Sequence, residues 1–142
     1  MRKPLRRTPL NRGKRTPKRR KALKATARKC DIAWSRVIRS KGPCALSIHG
    51  GWHVCKGPLQ AAHGFSRRYR GTRWDVRNGF PLCAAAHLRL TYDPIAWDSL
   101  LQAWWGTELY AELRAQAQAV TKPDYAAIAE ALKAKVSELE AA

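Results

Sequence analysis

The segment Leu59–Thr91, LQAAHGFSRRYRGTRWDVRNGFPLCAAAHLRLT, divides into strand, long loop, strand and helix. Pro58–His63 is short and apolar, as a strand requires, and Phe80–Leu82 suits a second strand. The alanines and leucines of Ala84–Tyr92 favour a helix. His63 then ends the first strand, Asn78 precedes the second, and His87 lies on the first turn of the helix, just after Cys83. Between His63 and Asn78 stand five arginines, Arg67, Arg68, Arg70, Arg73 and Arg77, against one acid, Asp75. Phe65, Tyr69 and Trp74 lie among them, either to stack on a partner or to anchor the loop. The second role suits Trp74, because so long a loop with little other apolar content needs a fixed point.

Upstream, Cys44–Cys55 reads as an irregular, glycine-containing loop that carries His49 and His53. Before it, Cys30, Ala33, Trp34, Val37 and Ile38 recur at helical intervals over Ala27–Ser40, and Gly42-Pro43 ends the run. Cys30 falls on the packing face of that helix and reads as a small core residue. Residues 1–29 hold 14 of the 28 basic residues and no acid, so self-repulsion and scarce apolar content predict a disordered basic arm. Downstream, Asp93-Pro94 is a helix start, with Asp93 as N-cap. Ile95, Trp97, Leu100, Leu101, Trp104 and Trp105 form a stripe up to Gly106. A second helix begins at Thr107 and a last one at Pro123. Eight acids against four bases between Tyr92 and Ala142 make this half an unlikely surface for a polyanion.

The expected fold is therefore α+β. Residues 30–142 form one domain, with residues 44–92 as its core, one preceding helix, and about three helices in 93–142. A chain of 142 residues is long enough for one such domain and too short for two. The net charge of +18 points to a polyanionic partner, with nucleic acid ahead of an anionic membrane. No run approaches the roughly eighteen apolar residues of a membrane span, and the N-terminus lacks the apolar segment of a secretory signal. A cytoplasmic, reducing setting follows, in which the four cysteines are thiols or metal ligands rather than disulfides.

Hydrolysis of a phosphodiester needs a base for the water, a cation for the developing charge, and donors that hold the substrate. A neutral histidine is the natural base near neutral pH, an asparagine carbonyl can fix its ring, and a second histidine can present an imidazole to a divalent ion. His63, Asn78 and His87 fit these roles in order, and the five loop arginines fit phosphate contacts. In Leu59-Gln60-Ala61-Ala62-His63, in Arg73-Trp74-Asp75 leading to Asn78-Gly79, and in Leu82-Cys83 followed by His87 and Thr91, the chain resembles the HNH endonuclease family. It is most similar to small phage-encoded members, the recombination endonucleases related to lambda Rap among them. The resemblance implies a ββα-metal core around one catalytic divalent ion (magnesium, manganese or zinc), often braced by a structural zinc. It assigns His63 as general base, Asn78 as its orienter and His87 as metal ligand.

The sequence departs from the family pattern at Ala62, where many members carry a metal-binding Asp or His, and at Thr91, where some carry a further histidine. The two CxxC pairs of many relatives are also broken, at Ser47 and Ala86. Cys44, Cys55 and Cys83 remain for a structural zinc, with His49 or His53 as fourth ligand. The sequence thus predicts a metal-dependent DNA endonuclease acting on duplex or branched DNA in phage recombination, replication or packaging. The alternative is a noncatalytic DNA-binding module on the same scaffold, and a third reading is a zinc-stabilised interaction domain.

Overall fold

A computed structural model describes residues 16–49 and 53–142. It is an α+β protein, mostly helical, with five helices and one two-stranded antiparallel sheet among the described residues. Strand β1 (Leu59–His63) pairs with β2 (Gly79–Cys83) in the register Leu59↔Cys83 to His63↔Gly79, so the ends of β1 and β2 that flank the loop bring His63 opposite Gly79. Helix α3 (Ala84–Thr91) follows β2 without a connecting loop, and the Cys83 side chain accepts the Ala86 N–H as its N-cap. No helix among the described residues is long and apolar enough to cross a membrane.

The hairpin is covered on both faces. On one lie α3, the short helix α2 (Ala45–His49) and the first half of α4 (Pro94–Gln118), around a core that includes Leu46, Ala62, Leu82, Ala86 and Leu90. On the other lie α1 (Pro17–Arg39) and α5 (Tyr125–Ala141), around Cys30, Trp34, Ile38, Trp74 and Leu132. Strand alternation divides the two, since Ala62 belongs to the first core and Ala61 packs against the second. Gly79 allows α1 to lie directly on β2, because a Cβ there would come within 2.5 Å of Trp34 Cζ2 and 2.6 Å of Ile38 Cδ1. The pairs Cys30 with Tyr125 and Arg36 with Glu140 show that α1 and α5 run side by side in the same direction.

Two expectations change. The basic segment 1–29 is not disordered throughout: α1 begins at Pro17, with the Thr16 hydroxyl capping the Arg19 N–H and Pro17 in the first turn. Its lysines, arginines and alanines are strong helix formers, and the core face further along carries the helix through the charge. The rest of the expected arm, residues 1–15, lies outside the described residues. The segment after Cys44 is a short helix, not wholly irregular, while residues 50–52 of that expected loop also lie outside the described residues. The expected boundary at Gly106 is present: two helical segments of α4 meet there at a kink, because Gly106 has φ +74° and ψ 171°, a conformation that suits glycine alone, and helix resumes at once.

Candidate functional site: a histidine cleft beside a cysteine cluster

His63, at the end of β1, and His87, on α3, line one cleft of about 820 Å³ together with Asp31 and Trp34 of α1 and Ser66, Arg67 and Arg68 of the loop. The two imidazoles are held in complementary ways. His63 Nε2 lies 2.9 Å from the Arg73 carbonyl oxygen, which can only accept, so Nε2 carries the proton and Nδ1 keeps the lone pair. Its ring stacks on Trp34 at 3.9 Å between centroids and 11° between planes. His87 Nδ1 lies 2.7 Å from Gln60 Oε1, which leaves Nε2 as its free lone pair. Burial lowers the pKa of both rings. For His63 the Arg73 carbonyl opposes that shift and the nearby Arg67 charge adds to it. Both are therefore neutral at physiological pH.

The expected partner of His63, Asn78, does not touch its ring. Asn78 is fully buried and clamps the loop instead: Oδ1 accepts the Phe65 N–H at 2.7 Å, and Nδ2 donates to the Phe65 and Thr72 carbonyls at 3.0 Å each. The group that orients His63 is the Arg73 backbone, and it is fixed in turn by Asp31. The Asp31 carboxylate receives the Arg73 guanidinium through two bonds, at 3.1 and 2.7 Å, and the Trp74 indole N–H at 2.9 Å. Asp31 is thus a site residue that sequence reasoning passed over. Its one signal was to be the first acid after a long basic run.

The five loop arginines separate into two groups. Arg67, Arg68 and Arg70 are exposed and, among the described residues, make no ion pair. Arg73 is tied to Asp31, and Arg77 is tied to Asp75 at 2.7 Å and Glu112 at 2.7 Å, so neither is free for a phosphate in the way expected. Gln116 of α4 adds bonds to the Gly71 carbonyl and to Asp75, so the acidic C-terminal half straps the loop down. The aromatic residues divide similarly. Trp74 is buried edge-on against Tyr125, and Phe65 packs on Trp105 and Tyr110, which makes both anchors, whereas Tyr69 stays exposed. Ala62 is buried against α3, and the Thr91 hydroxyl donates to the His87 carbonyl.

A second constellation lies at the other end of the hairpin. The ligand atoms of Cys44, His53, Cys55 and Cys83 all fall within 4.8 Å of one another, a set that can hold a metal ion such as zinc. A tetrahedral zinc with sulfur ligands at about 2.3 Å sets those atoms roughly 3.8 Å apart, so the grouping needs only a small contraction. His53 completes it, its Nε2 lying 3.2 Å from Cys83 Sγ. His49 does not belong to it and lies beside Trp104 instead. Burial pushes the Cys83 thiol up, but the N–H groups of Ala86 and Lys56 and the His53 ring outweigh it and hold the pKa at about 6. Cys55 is held up by desolvation and by the neighbouring Cys44 and Cys83 sulfurs, a repulsion that a bound cation would relieve. Among the described residues all four cysteines are free thiols. Comparisons of the chain with protein families, with curated proteins and with solved structures return no match.

Proposed function

We propose that the protein is a metal-dependent DNA endonuclease whose reaction takes place in the histidine cleft. What carries this reading is that two neutral histidines line one cleft with exposed arginines, each ring having one nitrogen bonded to a neutral acceptor and the other left as a lone pair. His63 Nδ1 takes a proton from the attacking water, and the stack on Trp34 with the bond to Arg73 keeps the ring in one tautomer while it does so. His87 Nε2, oriented by Gln60, is the ligand for a divalent ion. When bound, that ion supplies charge neutralisation for the pentavalent phosphorane and the leaving oxygen. Arg67 and Arg68 hold the phosphates at the rim of the cleft, and Asn78 keeps the loop that carries them in place. The Cys44, His53, Cys55 and Cys83 set holds a structural zinc that fixes the junction of β2 and α3, and so the position of His87.

Supercoiled plasmid incubated with magnesium, manganese or zinc tests the reading. Wild-type protein is expected to nick or linearise it with at least one ion. His63→Ala is expected to lower the rate by about 10²- to 10⁴-fold while DNA affinity stays close to that of wild type. A second reading, a DNA-binding module without catalysis, is favoured by Ala62 being buried and by the Thr91 hydroxyl being turned to the helix backbone, which leaves the ion few protein ligands. Binding without cleavage under every ion would establish that second reading in place of the first.

A further inference from the structure

The long basic helix does more than carry charge. Arg20, Lys24 and Arg28 recur every four residues on one face of α1, and with Arg70 from the loop they line a groove that ends at Asp31 and Arg73. We propose that this groove holds the phosphodiester backbone of duplex DNA beside the cleavage point, as a docking track separate from the reacting cleft. The inference rests on the nucleic-acid reading of the cleft and adds where the flanking duplex lies.

The spacing fits an extended polyanion. Steps of four residues rise about 6 Å each, so Arg20 to Arg28 covers about 12 Å, which matches three to four phosphates of one strand at 3.4 Å of axis each. Arg20, Lys24, Arg28 and Arg70 are exposed and, among the described residues, make no ion pair. The one acid in the groove, Asp31, is already paired with Arg73 and accepts the Trp74 N–H. Four cations gathered without counter-charge repel one another, and a polyanion relieves that repulsion. Asp31 also lines the cleft, so groove and cleft meet at its carboxylate and one duplex can pass from the first into the second. A membrane surface suits the groove less well. A helix that lies on lipid keeps its apolar stripe for the bilayer, whereas α1 buries Cys30, Trp34 and Ile38 in the core.

The test compares two triple variants of the full chain, both keeping good helix formers: Arg20→Gln/Lys24→Gln/Arg28→Gln in the groove, and Lys18→Gln/Lys29→Gln/Lys133→Gln on other exposed faces. Circular dichroism verifies that each is folded. Binding of a twenty-base-pair duplex is then measured without divalent ions across a salt series, alongside binding to phosphatidylserine vesicles. The groove variant is expected to flatten the slope of log affinity against log salt by about 2.7, and the control by much less. The advantage of wild type over the groove variant should then shrink about 40-fold between 50 and 200 mM salt. Equal slopes for the two variants overturn the docking track and leave the cleft's activity untouched. Groove-dependent binding to vesicles that exceeds binding to DNA overturns it as well. Groove-dependent DNA binding by a protein that cleaves nothing supports the track while removing the nuclease reading.

Discussion

The cysteine cluster and the histidine cleft hang on the same short helix, yet they are built oppositely. Cys83 is the N-cap of α3 and His87 lies one turn further on. The cluster gathers four donors, Cys44, His53, Cys55 and Cys83, enough to close a tetrahedral shell and leave no position for a reactant. The cleft offers two imidazoles with one lone pair each, and the carboxylate nearest them, Asp31, is taken up by Arg73 and Trp74. A closed donor set holds a fold together, whereas an open one leaves room for water and phosphate. The difference sets a donor group that can hold a metal ion apart from an open, histidine-lined cleft.

Removing the metal should break that division most severely. Structural zinc contributes about 10–16 kcal/mol in small zinc-bound folds, against a total stability of about 5–15 kcal/mol for a typical domain. Protein purified without chelator is expected to carry about one equivalent of zinc by elemental analysis. Chelation or Cys83→Ser should lower the melting temperature steeply, leaving a weakened fold that still unfolds cooperatively. A metal-free preparation with an unchanged melting temperature would falsify the closed-shell assignment. The cleft answers to a different residue. Asn78→Ala removes three buried hydrogen bonds and is expected to cost roughly 3 kcal/mol, read as a lower urea midpoint, with zinc content retained and cleavage lost. Zinc loss in that variant would show that the two ends are not independent.

The smallest effect is in pH. Cys83, near 6 in the fold and about 8.5 unfolded, is thiolate in the native state while the unfolded chain holds the proton. Its contribution is therefore complete above about pH 8.5 and disappears as pH falls through 6. His63 and His87 have depressed pKa values, so below about 6.5 the unfolded chain takes protons that the native rings refuse. Both contributions make metal-free protein less stable in acid, and its urea midpoint should fall steadily from pH 8.5 to below 6. A flat midpoint across that range would contradict both. The acid limb of cleavage, set by His63, should lie below about pH 6.5.

The hairpin, α3, the start at Pro94 and the break at Gly106 were legible because each is signalled locally, by apolar runs, alanines, an Asp-Pro pair and a glycine. The helical state of Pro17–Lys29 was not, because charge density suggested a solvated arm while the residues themselves are good helix formers whose support comes from Trp34 and Ile38 further along. The candidate site was legible in its histidines and not in their partners. Arg73 and Asp31 are 42 positions apart, and nothing in a string of arginines shows which of them will meet an acid. The role expected of Asn78 passed to a backbone carbonyl for the same reason: a main-chain acceptor exists at every position, and only the folded loop selects one.

The side-by-side packing of α1 and α5 sets an order of events during synthesis. Cys30 meets the Tyr125 carbonyl across 95 positions, and the Trp74 anchor of the loop leans on that same tyrosine. At about 5–20 residues per second, a ribosome needs roughly 5–20 s to travel from one partner to the other. The hairpin and α3 emerge during that interval, before α5 can pack on α1. A nascent chain therefore completes the core between α1 and α5 late, after the basic helix has already been without that partner for several seconds.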